Sequence, residues 1–126
     1  MGTILIVDDS EHVRDKLSDL LQNNNHLVIT AENGDTGLNS YTNNEQIDLI
    51  ITDLNMSVMN GLKMCEEISK VQDRKRPPIL VLSSEADPDL KETMKTLGVV
   101  AWIIKPFKEE VVSSVIDQII QKHRAG

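Results

Sequence analysis

Aromatic side chains are scarce: Tyr41, Trp102 and Phe107 are the only ones among 126 residues. The core is therefore expected to be aliphatic, and a ligand held by ring stacking would find few platforms. A single cysteine, Cys65, excludes an intramolecular disulfide framework. With only His12, His26 and His123 beside it, a structural zinc centre is also disfavoured. The longest apolar run, Val99–Ile104, falls far short of the ~20 residues a helix needs to cross a bilayer. No basic stretch followed by a long apolar segment opens the chain, so no export is indicated and a cytoplasmic location is expected. Thirteen Lys and Arg stand against twenty Asp and Glu, a formal net charge of −7. The basic turn Arg74-Lys75-Arg76-Pro77-Pro78 is of ordinary loop length and no strong basic patch is seen, which argues against nucleic acid and membrane partners. Repeats and low-complexity segments are absent. So are the glycine-rich loops of dinucleotide and nucleoside-triphosphate sites and the hydrolase G-x-S-x-G elbow.

What is present is an alternation. At this length one domain is expected, spanning residues 1–126. Thr3-Ile4-Leu5-Ile6-Val7 reads as a strand buried on both faces of a parallel sheet. Ser10 caps a following helix with Val13, Leu17, Leu20 and Leu21 on one face. His26–Ala31 reads as a weaker strand, followed by a short helix from Gly34 to about Thr42. Leu49–Thr52 is a third strand, and Asn60-Gly61 starts a helix with Leu62, Cys65 and Ile68 inward. Ile79–Leu82 is a fourth strand. Asp87-Pro88 places an acid at the cap and proline at the first helical position. Leu90, Met94 and Leu97 line that helix and Gly98 ends it. Val99–Ile104 holds the fifth strand. The last helix opens at Glu109-Glu110, repeats apolar pairs at 111–112, 115–116 and 119–120, and carries Lys122, His123 and Arg124 at its negative end. Cys65 is expected in the core, and Met56, Met59, Met64 and Met94 as gap fillers. Five strands alternating with five helices predict a doubly wound α/β sandwich around a parallel sheet.

Ligands of such folds bind at the carboxyl ends of the strands. The first strand ends in Asp8-Asp9, the third in Asp53, the fourth in Ser83-Ser84 and the fifth in Lys105-Pro106. Any one of these alone is ordinarily a solvated loop residue. Together they make a constellation. Converging carboxylates repel one another unless a cation joins them, and Mg²⁺ accepts a few carboxylates, waters and phosphate oxygens. An aspartate can act as a nucleophile toward phosphorus, with a lysine and a hydroxyl serving the new phosphoryl oxygens.

The segments I-L-I-V-D-D-S at 4–10, D-L-N-M-S-V-M-N-G at 53–61, L-V-L-S-S at 80–84 and K-P-F at 105–107 resemble the receiver domain of two-component response regulators, of the CheY-like single-domain kind. The resemblance covers essentially the whole chain. It implies a flavodoxin-like three-layer sandwich with strand order 2-1-3-4-5, which sets the first and third strands side by side. It further implies Asp53 as phosphoacceptor, Asp8, Asp9, Asp53 and the backbone carbonyl of Asn55 around Mg²⁺, and a cis Lys105-Pro106 peptide. Ser83 and Lys105 would contact the phosphoryl group, Ser83 and Trp102 would switch, and Asn55 and Glu85 would tune dephosphorylation. Ser57 replaces the family's usual Pro, Asn60 a usual Asp, Ser84 a usual Ala or Gly, and Trp102 a usual Tyr or Phe.

The expected function is that of a phosphoacceptor switch with weak autophosphorylation and autodephosphorylation, not an enzyme proper. Its phosphodonor would be a histidine kinase. The last helix is expected to end at Gly126, with no output domain expected after it. Output would then pass through protein contacts of the fourth helix, fifth strand and fifth helix. Chemotaxis is the first choice, with a flagellar motor switch as target, a phosphatase as further partner and a monomeric state. Alternatives are a phosphorelay intermediate or an excised receiver of a larger regulator. A flavodoxin-like electron carrier is the remote rival; it would need a Ser/Thr/Gly-rich phosphate loop and more aromatics.

Overall fold

A computed structural model describes residues 2–125, and side chains as far as His123. The cation expected from Arg124 and the helix end expected at Gly126 lie outside the described residues. The elements alternate throughout: β1 (Thr3–Val7), α1 (Glu11–Asn23), β2 (Leu27–Ala31), α2 (Gly34–Asn43), β3 (Leu49–Thr52), α3 (Gly61–Ser69), β4 (Ile79–Ser83), α4 (Pro88–Thr96), β5 (Val99–Ile104) and α5 (Glu109–Ala125). All neighbouring strands pair in parallel, in the order β2-β1-β3-β4-β5. The fold is thus the doubly wound, flavodoxin-like sandwich that the alternation predicts.

Period-two alternation divides the strand side chains between two apolar layers. Leu5, Val7, Ile50 and Val81 pack with Tyr41, Met64, Cys65, Ile68 and Met94 of α2, α3 and α4. Ile4, Ile6, Ile51 and Leu80 pack on the opposite face with Leu17 and Leu21 of α1 and Val112, Ile116 and Ile119 of α5. β1, β3 and β4 are buried on both faces, which is why they read as unbroken apolar runs.

Side chains cap the helices as expected. Ser10 Oγ accepts from the Val13 amide, Asn60 Oδ1 from Lys63 and Asp87 Oδ1 from Asp89. Asn33 and Thr36 add a reciprocal capping box at the start of α2.

Three features depart from the sequence reading. Tyr41 is almost fully buried, so the core is not purely aliphatic. Val111, paired with Val112 in the repeat, is exposed, because in the first turn of α5 only Val112 faces the sheet. Arg74 belongs to no mere solvated turn. Its guanidinium donates to the carbonyls of Tyr41, Thr42 and Asn44 at 2.6, 3.2 and 3.0 Å, closing the end of α2, and lies 4.8 Å from the centre of the Tyr41 ring.

Candidate functional site

Strand register builds the site. Val7 stands beside Thr52 in the β1–β3 ladder, so Asp8 and Asp53 leave adjacent strands together. The Asp53 amide donates to the Val7 carbonyl at 3.0 Å and the Asp8 amide to the Ala31 carbonyl at 3.1 Å, extending the ladders to these residues. On the other side the Lys105 amide donates to the Ser83 carbonyl at 3.0 Å. The Lys105-Pro106 peptide is cis.

Lys105 Nζ lies 2.8 Å from Asp8 Oδ2 and 3.0 Å from Asp53 Oδ2, so one ammonium bridges two strands. The remaining carboxylate oxygens meet backbone amides: Asp8 Oδ1 accepts from Ser10 at 2.9 Å, Asp53 Oδ1 from Leu54 at 2.7 Å. Asp8 and Asp53 are buried, whereas Asp9 is exposed. Burial lifts the Asp8 carboxyl above its usual range, against the lowering pull of the Lys105 and Ser10 hydrogen bonds. Burial works against the Lys105 charge too, but its bonds to Asp8 and Asp53 win and hold the ammonium above its ordinary range.

Asp8, Asp9 and Asp53 offer carboxylate oxygens that all lie within 4.8 Å of one another. Such a hard, oxygen-only donor set fits Mg²⁺, which prefers a few carboxylates and leaves positions for water and phosphate oxygens. Ser83 is fully buried at the end of β4, and its Oγ accepts from the Glu85 amide at 3.2 Å. Asn55 and Glu85 meet at the rim, Asn55 Nδ2 donating to Glu85 Oε2 at 3.3 Å. Trp102 is partly buried on β5, where its Nε1–H donates to the Glu85 carbonyl at 2.8 Å and the Lys91 ammonium sits 5.5 Å from a ring centre.

The geometry therefore brings Asp8, Asp9, Asp53 and Lys105 into direct contact or ligating distance. It links Ser83, Asn55 and Trp102 through Glu85. Sequence position gave no hint that Glu85 uses its amide, carbonyl and carboxylate for three different partners. Nor did it single out Arg14, whose Nη1 donates to the Asp8 carbonyl at 2.6 Å; a charged residue in the first turn of α1 reads as solvated surface. The loop after Asp53 is packed closely. A Cβ at Gly61 would lie 2.2 Å from the Asp53 carbonyl oxygen. Val58, within that loop, has φ of 67° and is 82% exposed, and the Met59 amide donates to the Ser57 carbonyl at 2.7 Å, a strained γ-turn.

An edge with paired acids, a bridging lysine and room for a hard cation belongs to the α/β phosphoacceptor modules. Comparison with known proteins narrows the class. The response regulator receiver domain model matches residues 4–117. The chain is 30% identical to a chemotaxis protein CheY homolog of Campylobacter jejuni over 93% of its own length and 91% of the relative's. It is 28% identical to protein PilH of Pseudomonas aeruginosa over 95% and 98% of the two chains. The structure of Vibrio cholerae chemotaxis protein CheY4 superposes with a TM-score of 0.87 at 33% identity, covering 94% of this chain and 98% of that one. This chain belongs to the response regulator receiver domain family. It is a Mg²⁺-dependent phosphoacceptor switch of two-component signalling with only weak catalysis of its own, which sets aside the electron-carrier reading. Among the described residues, no helix is long and apolar enough to cross a membrane.

Proposed function

We propose that Asp53 accepts a phosphoryl group from a histidine kinase and that residues 1–126 act as a single receiver domain signalling in chemotaxis. The observation that carries the chemistry is the Lys105 ammonium bridging Asp8 and Asp53 beside Asp9. Asp8, Asp9, Asp53 and the backbone carbonyl of Asn55 would hold Mg²⁺, which supplies charge neutralisation to the phosphoryl oxygens. An Asp53 carboxylate oxygen attacks phosphorus, the bond from phosphorus to the donor imidazole nitrogen breaks, and that nitrogen takes up a proton. Lys105 then turns toward the added negative charge. The Ser83 hydroxyl donates to a phosphoryl oxygen, while Asn55 and Glu85 border the path of hydrolytic water and set the phosphoryl lifetime. Ser83 and Trp102 carry the change to the surface of α4, β5 and α5.

Support for chemotaxis comes from the Campylobacter jejuni and Vibrio cholerae relatives, whose names carry that word and whose lengths this chain nearly matches. The downstream target is then a flagellar motor switch, with a phosphatase as further partner. The working form is a cytoplasmic monomer without nucleic-acid or membrane contacts. Labelling with acetyl phosphate tests the chemistry: Asp53→Asn or chelation of Mg²⁺ is expected to abolish it, and undiminished labelling of the mutant overturns the assignment. In the native host, gene deletion is expected to abolish spreading in soft agar, restored by wild type and not by Asp53→Asn. Normal chemotaxis of the deletion strain overturns the output reading.

A further inference from the structure

We infer that Arg14 is a positioning residue for the divalent cation, acting through the peptide bond that joins Asp8 to Asp9. The inference rests on the reading of Asp8, Asp9 and Asp53 as metal ligands given above.

The Asp8 and Asp9 side chains are fixed by different means. Asp8 is buried, its two oxygens held by the Ser10 amide and the Lys105 ammonium. Asp9 is exposed, and no hydrogen bond to its carboxylate is found among the described residues. Its aim therefore depends on the backbone that carries it. That backbone is clamped at both ends of the Asp8 residue. The Asp8 amide donates to the Ala31 carbonyl of β2, and the Asp8 carbonyl accepts the Arg14 guanidinium at 2.6 Å. The carbonyl in question belongs to the peptide unit whose nitrogen is that of Asp9. Arg14 is itself held on α1, its amide donating to the Ser10 carbonyl at 3.0 Å, and its side chain is partly buried. Turning this peptide plane would swing Asp9 relative to Asp8 and Asp53. A planar guanidinium resists that turn better than a water molecule would.

Charge and position predict opposite signs. A cation held against the Asp8 carbonyl opposes a second cation bound nearby, so if charge were all that Arg14 supplied, its removal would tighten metal binding. If Arg14 aims the ligand pair, its removal weakens binding, as loss of groups that orient metal ligands does by about 10–100-fold.

The test is titration of the full chain with Mn²⁺ by electron paramagnetic resonance and with Mg²⁺ by calorimetry, alongside thermal melting of the metal-free protein. Wild type is expected to bind one ion and Asp9→Asn to lose it; if wild type binds none, or Asp9→Asn binds as wild type does, the metal-ligand reading itself fails. Given that control, Arg14→Met is expected to raise the dissociation constant about tenfold, the low end of that range. Arg14→Lys, which keeps the charge but not the fork, is expected to fall between Arg14→Met and wild type. Unchanged or tighter binding by Arg14→Met overturns the inference, including the case where only its melting temperature falls, since that marks a merely structural role. If Arg14→Met does not fold, Arg14→Lys decides: weaker binding than wild type supports the inference, and equal or tighter binding overturns it.

Discussion

The indole N–H of Trp102 donates to the backbone carbonyl of Glu85 at 2.8 Å, joining edge strand β5 to the loop that leaves β4. The amide of the same Glu85 donates to Ser83 Oγ. A pull on Ser83 toward a phosphoryl group thus reaches the indole through one residue. Addition of beryllofluoride with Mg²⁺ is expected to change Trp102 emission and reduce its quenching by iodide. The change should vanish in Asp53→Asn and shrink in Ser83→Ala. Constant emission on a phosphorylated protein would show the indole locked against Glu85.

Lys105→Met is expected to destabilise the metal-free protein by about 1–3 kcal/mol, because buried Asp8 and Asp53 lose their shared donor. The folded-state pKa of Lys105 is raised, so its contribution is whole at neutral pH and is lost only as pH climbs through that raised value. Mg²⁺ should restore more melting temperature to the mutant than it adds to wild type, as differential scanning fluorimetry can measure. Equal Mg²⁺ increments would separate Lys105 from the acid cluster.

Asn55 and Glu85 touch each other at the exposed rim rather than the acid cluster. Asn55→Ala and Glu85→Ala should each alter the phosphoryl decay rate severalfold while Asp53 remains the carrier. Slower labelling with an unaltered decay rate would contradict that placement.

Cys65 is fully buried, and burial pushes its thiol from the ordinary 9.0 up to about 12. Iodoacetamide at pH 8 should leave the native protein unmodified and react fully in denaturant. In the unfolded chain the thiol ionises near its ordinary value, so between pH 9 and 12 the folded state loses the stability this thiol confers at lower pH. Denaturation curves should show a shallower alkaline decline for Cys65→Ala, measured relative to its own neutral stability.

Val58 holds a positive φ that a β-branched side chain adopts at a cost, and being exposed it gains little from burial. Val58→Gly is expected to stabilise the fold by roughly 1 kcal/mol, read as a higher denaturation midpoint. A lower midpoint would mean that the valine side chain is needed where it stands.

Much of this was legible in the sequence because it depends on local order. The unbroken run Thr3–Val7, the Asp87-Pro88 start and the cap at Asn60 act within a few residues and stand where expected. In a parallel α/β sheet the residues following the strands meet at one edge, so Asp8, Asp9, Asp53, Ser83 and Lys105 could be named together once the alternation was clear. What escaped depends on long side chains reaching across the fold. Arg74 finds the end of α2 some thirty residues earlier, and Trp102 finds a carbonyl seventeen residues away. Composition ranks tyrosine as only intermediate in burial, yet Tyr41 fills the layer between α2 and the sheet. The strain at Val58 is a backbone property of a loop whose residue types do not favour it.

The two Asn-Gly pairs in the chain, Asn33-Gly34 and Asn60-Gly61, open helices α2 and α3. This dipeptide ages quickly in flexible chains, because the glycine amide nitrogen attacks the asparagine side chain and expels ammonia. Here both nucleophiles are engaged: the Gly34 amide donates to the Met59 carbonyl at 2.8 Å and the Gly61 amide to the Leu54 carbonyl at 3.0 Å. Both side chains are engaged as well, accepting from Thr36 and Lys63. The packing that sets the loop after Asp53 thereby also slows chemical ageing at these two pairs while the protein stays folded.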